Sequence, residues 1–126
     1  MKRLYIGVAL LIVMLAIGIF LTMAFMAIHQ PLEDLLHQAQ AGAMEGNWEK
    51  AKELTEKAQN LWKKSRHFVA AVADHEPLEE MDGLLARLEV LGALGQAEEF
   101  AADCAQLISL CQAMAQSQKL NWWNFL

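Results

Sequence analysis

Residues 4–28 carry no charged side chain, and they follow directly on Lys2 and Arg3. At 1.5 Å per residue a helix of this length spans roughly 37 Å, more than the ~30 Å hydrocarbon core of a bilayer. The competing reading is a cleaved signal peptide, whose apolar region covers only about 7–15 residues and ends at a small-residue site. This run is longer. Thr22 and Ala24 are a possible −3/−1 pair, bulky residues interrupt any better match, and no cysteine stands near the run's end to accept a lipid. The segment is therefore read as a retained membrane anchor.

Orientation follows from the flanks. Lys2 and Arg3 precede the run, whereas His29, Pro31, Glu33 and Asp34 follow it. The positive-inside rule predicts a single-pass protein of the cell membrane, with residues 1–3 in the cytoplasm and residues 29–126 outside. Within the run, Gly18 and Thr22 make one small-xxx-small pair, read as lipid-facing filler. All 15 acidic residues lie beyond the run, against eight of the 10 Lys and Arg. That excess of negative charge argues against nucleic acid as a partner, since phosphates require Lys and Arg to neutralise them.

Beyond residue 28 every segment has helical periodicity, with no alternating β-branched run. Pro31 reads as the first-turn proline of a helix over about 32–44, or of a bent continuation of the anchor. Leu32, Leu35, Leu36, Ala39 and Ala43 form its apolar face. Gly46-Asn47 ends it, and Asn47 caps a helix over about 48–73 with a stripe of Trp48, Ala51, Leu54, Ala58, Leu61, Trp62, Phe68, Val69 and Val72. Trp48 and Trp62, four turns apart, are expected as core anchors on one face. A break at Asp74–Pro77 leads to a helix over about 77–93. Gly92–Gly95 turn the chain into a last helix over about 96–117.

The two helical pairs repeat at an offset of 49 residues: Leu35 and Leu36 fall on Leu84 and Leu85, Gly46 on Gly95, Glu49 on Glu98, Leu61 on Leu110. Each pair is an αα-hairpin that cannot bury its apolar face alone. The expected fold is all-α: an N-terminal transmembrane helix (4–28), then a four-helix bundle of two antiparallel αα-hairpins (29–117), then an aromatic C-terminal tail (118–126).

With these elements placed, the chain resembles a family of short, anchored proteins of spore-forming Firmicutes, domain of unknown function 4363. The likeness rests on Met1-Lys-Arg-Leu4 before the apolar run, Asn47-Trp-Glu-Lys-Ala-Lys-Glu-Leu54, Trp62, Asp74-His75-Glu76 and the closing Lys119-Leu120. The fourth and fifth helices depart from the family pattern in being richer in Ala and Leu. The resemblance implies a membrane-anchored helical bundle and brings no activity with it.

Chemistry-bearing clusters are few. His67, Asp74, His75 and Glu76 are the candidate metal ligands, but they lack the i, i+4 histidine pair of a metal-binding helix, and acids at a helix start are explained by its dipole. Cys104 and Cys111, seven residues apart on one helix, are too distant to bridge each other and are assigned to core packing. Lys63, Lys64, Arg66 and His67 complement a helix C-terminus, with a lipid headgroup contact as the sharper reading. Trp122, Trp123 and Phe125 are candidates for the membrane interface, with capping of the bundle's own core the equal alternative. No nucleophile elbow or phosphate-binding glycine loop is present, so no enzymatic activity and no cofactor are expected. Two functions remain: an interaction or scaffold module for a membrane or envelope protein, bound to lipid through residues 4–28, or a sensor or carrier of a metal ion or small ligand.

Overall fold

The computed structural model describes residues 1–72 and 75–125, with side chains for all of these except Val72 and 118–125. Four helices follow one another: α1 (Lys2–Met44), α2 (Trp48–Val72), α3 (His75–Leu94) and α4 (Ala97–Phe125), with no strand among the described residues. The expected four-helix bundle is present. Its first helix is a continuation of the apolar run, the second of the two readings at Pro31, because α1 passes through Pro31 without a break. Pro31 has no N–H and leaves one carbonyl of the preceding turn unpaired. Its side chain is exposed, so the defect faces away from the packed side. The fourth helix also runs on, making residues 118–125 its last turns rather than a separate tail.

α1 packs against α2 and α4, and α3 closes the ring by packing against the same two. Both hairpin turns use the same device. Gly46 and Gly95 adopt positive φ, 77° and 69°. Their N–H groups bond to Ala43 and Gly92, while those of Asn47 and Gln96 reach back to Gly42 and Leu91. This is the Schellman arrangement, which satisfies the last helical carbonyls and requires a left-handed residue. The 49-residue offset is thus a repeat of turn geometry. Asn47 also caps α2, its Oδ1 accepting from the Lys50 N–H at 3.3 Å.

The core on α1 does not stop at residue 28. One line of covered residues runs through Leu15, Gly18, Thr22, Phe25, His29, Leu32, Leu36, Ala39 and Ala43, buried apart from half-buried Leu15 and Thr22. They alternate at spacings of three and four, the seam of a left-handed coil. Residues 1–14 are exposed all round, and from Ile17 to Met26 only the opposite face, with Ile19, Phe20 and Met23, stays open. Two glutamines pin the register: Gln40 Nε2 donates to the Ala101 carbonyl and Gln59 Nε2 to that of Leu85, each at 3.0 Å.

Because Phe25 is only 3% exposed, truncating it to Ala should destabilise the bundle by about 3–5 kcal/mol. A chain beginning at His29 is expected to melt below one beginning at Gly18, read by circular dichroism in mild detergent. Equal melting temperatures would mean that the run contributes nothing to the core.

Candidate functional site

α2 and α3 are the most loosely joined of the four neighbouring pairs, and a groove opens between them. It has a volume of about 300 Å³ and is lined by Trp48, Leu88, Gly92 and Phe100, with Glu49, Glu56, Glu89 and Lys52 around the rim. A second opening shares Gln59 and Glu89 with the first and continues toward Trp62 and Asp82. Three carboxylates against one ammonium make the upper rim negative. Trp48 is half-buried and lies edge-on to Phe100, with centroids 5.6 Å apart, closing the end of the core. It is therefore part wall of the groove and part core, whereas Trp62 is buried as expected.

At the groove's lower end stands a polar node. Trp62 Nε1 donates to Asp82 Oδ1 at 2.6 Å, and Arg66 Nε and Nη2 both reach Asp82 Oδ2 at 2.9 Å. Burial alone would raise the Asp82 pKa. The hydrogen bonds from Arg66 and Trp62, with the Arg66 charge, outweigh it and hold the carboxyl below its ordinary range. Arg66, grouped with Lys63, Lys64 and His67 on sequence alone, is thus engaged across the α2–α3 interface. The cluster also lies short of the helix end, which continues to Val72.

Deeper in, His29 is 2% exposed, and neither ring nitrogen has a hydrogen-bond partner. Its ring rests on Phe25 with centroids 4.2 Å apart. Burial pushes its pKa down to about 4 from 6.5, so the imidazole is neutral at pH 7. Cys104 and Cys111 are free and fully buried. Burial, reinforced by Asp103 and Glu33 respectively, pushes both thiols up to about 12, which makes them poor nucleophiles.

Of the metal candidates, His67, His75 and Glu76 are exposed and Asp74 lies outside the described residues. No group of three or more His, Cys, Asp or Glu placed to hold a metal ion occurs among the described residues. The side chains of Trp122, Trp123 and Phe125 lie outside the described set; their backbone forms the end of α4. Sequence reasoning missed the groove, the Asp82 node and the buried polar residues Thr55, Ser65 and Asp103. Thr55 and Ser65 bond back to the carbonyls of Ala51 and Leu61, and Asp103 Oδ2 meets Arg87 Nε at 3.1 Å. Only the i, i+4 spacing of the two hydroxyl residues behind Ala51 and Leu61 hinted at this.

The molecule is thus an up-down four-helix bundle whose first helix, Lys2–Met44, projects beyond the bundle and is long and apolar enough to cross a membrane. The chain belongs to the family described as Domain of unknown function (DUF4363), whose model matches residues 19–125. That match begins inside the apolar run, next to Gly18, the first fully buried residue of the seam. Comparison with curated proteins and with solved structures gives no match.

Two measurements check the polar groups. Asp82→Ala leaves the buried Trp62 N–H without a partner and should cost about 1–3 kcal/mol. Since its folded-state pKa is depressed, the wild-type advantage is present above the ordinary carboxylate range and disappears as pH falls through the lower folded value. His29 behaves likewise for a different reason. Between pH 6.5 and about 4 the unfolded chain binds a proton that the folded one refuses, so stability declines as pH falls across that window. His29→Leu should remove this slope, on the order of 1–3 kcal/mol over the window, as read by denaturant titration at several pH values.

Proposed function

We propose that this protein is a non-catalytic, membrane-anchored interaction module: residues 4–28 hold it in the cell membrane, and the bundle presents the α2–α3 groove to a membrane or envelope partner. The observation that carries this reading is the unbroken course of α1 from the free apolar rod into the core of the bundle. A signal sequence is removed, whereas this segment contributes Gly18 and Phe25 to the core, so packing as well as length supports its retention. The negative rim of Glu49, Glu56 and Glu89 suits a partner segment with basic side chains over an apolar face. The charge bias of Lys2 and Arg3 against Glu33 and Asp34 supports an N-terminus in the cytoplasm and a bundle outside.

The test is site-specific photocrosslinking in native membranes. A benzophenone side chain at Glu56, on the groove rim, should capture a discrete partner, and one at Ser109, exposed on α4, should not. With the benzophenone kept at position 56, exchanging Glu49 and Glu89 for Lys should abolish the adduct without lowering the melting temperature appreciably. If no adduct forms, and a small ligand or divalent ion instead raises the melting temperature of the purified chain, the sensor or carrier reading replaces this one.

A further inference from the structure

Only 16 residues of α1, 29–44, follow the apolar run, yet α2 has 25 residues and α4 has 29. Antiparallel neighbours of that length must pass the end of the run and lie beside it. The register gives the depth. Gln40 bonds to Ala101, and a side chain added at Gly42 would meet the Ala51 nitrogen at 3.5 Å. Counting residue for residue from these contacts, Val72 stands about level with Leu21, and Phe125 about level with Ala16. Burial on α1 agrees, since cover begins at Leu15 and Gly18.

Resting on the anchoring reading above, we infer that the bundle does not stand on the bilayer but overlaps it: the last turns of α4, from Lys119 to Phe125, lie within the leaflet on the bundle's side, alongside α1. A ~30 Å hydrocarbon core takes about 20 helical residues, which from Leu4 reach Met23. Residues 4–14, the stretch exposed on every side, cannot supply that length. The remainder is residues 15–23, where the bundle already covers one face. Whatever neighbours α1 there shares its solvent.

The composition of the overlapping ends fits lipid. α2 carries its last basic residues at Arg66 and His67, and Phe68–Val72 are uncharged. α4 has no charged residue between Asp103 and Lys119 and none after it. Lys119, level with Thr22, falls at the expected boundary, and the residues beyond it are Leu120-Asn-Trp-Trp-Asn-Phe125. Tryptophan concentrates where acyl chains meet headgroups. On the other side of the bundle, the bond from Gln59 to Leu85 sets His75 about level with Val69, so the acidic start of α3 returns the chain to the headgroups and limits the overlap of α2 to about one turn.

Spin-label accessibility in the full chain, reconstituted in phosphatidylcholine vesicles, tests this. The native thiols are buried and stay unlabelled, so a single cysteine can be added at Leu11, Ser109, Asn121 or Asn124. The label at Ser109 should collide mainly with a water-soluble nickel chelate. Labels at Leu11, Asn121 and Asn124 should collide mainly with oxygen, which partitions into lipid, with several-fold lower nickel access. Nickel access at Asn121 and Asn124 equal to that at Ser109 overturns the overlap, as does exclusion of both reagents, which would put these turns inside protein. The Leu11 label separates the two readings: if it stays oxygen-dominated the anchor stands while the overlap fails, and if nickel reaches it the anchoring itself fails.

Discussion

The seam on α1 is the constraint on which the rest of the structure depends. Leu15, Gly18, Thr22, Phe25, His29, Leu32, Leu36, Ala39 and Ala43 follow one another at alternating spacings of three and four. A seam of that period keeps facing its neighbours over many turns, so α2 and α4 can follow it alongside the apolar run. The residues of the seam also change character along its length. Leu32 and Leu36 fill the middle of the core, whereas Gly18 and Thr22 are small, and the Thr22 hydroxyl is spent on the Gly18 carbonyl at 2.9 Å. Small residues at a seam let helix backbones approach closely.

Much of this was legible in the sequence, and the exceptions have physical causes. The helical class, the two glycine turns, the capping role of Asn47 and the burial of Trp62 and both cysteines follow from periodicity and local backbone chemistry. The continuity of α1 is one of two readings that the sequence allows, because Pro31 also suits the first turn of a new helix. The seam inside the apolar run does not follow: a segment that is apolar on every side offers no contrast between the face that meets protein and the face that does not. Trp48 shares its periodic position with Trp62 but stands at the end of the bundle, where a large ring finds neighbours on one side only.

The candidate site was less legible than the fold, since grooves are made by what packing leaves open. Nothing in the periodicity of α2 or α3 announces that this pair joins less closely than the others. The polar contacts are hidden for a similar reason. Gln40 and Gln59 read as ordinary surface residues, yet each donates to a carbonyl on the neighbouring helix and so fixes the sliding of one rod past another. Asp82 reads as a surface charge in an acidic helix, and only the meeting of α2 and α3 brings it to Trp62 and Arg66. Of the cluster Asp74-His75-Glu76, conspicuous in the sequence, His75 and Glu76 face solvent at the start of α3 and Asp74 lies outside the described residues.

These polar contacts bear on how the molecule acts as a single body. A flexible linker between anchor and domain would let the groove sample many orientations. Here the apolar run and the first helix of the core are one helix, and the two glutamine bonds and the Asp82 node tie the neighbouring helices to one another. His29 sits at the junction as a neutral, unpaired imidazole, a group that costs stability wherever it is buried without partners. Packed on Phe25, it keeps charge out of the stretch where the rod leaves the apolar run and enters the bundle. From Met23 to Met44 the rod is roughly 30 Å long, which places the Trp48 end of the groove about that far from the membrane surface proposed above. On the anchoring and partner-binding reading proposed above, any rotation or tilt of the apolar run is carried along α1 to the groove, so that a partner engaged there would be held at a set height and angle.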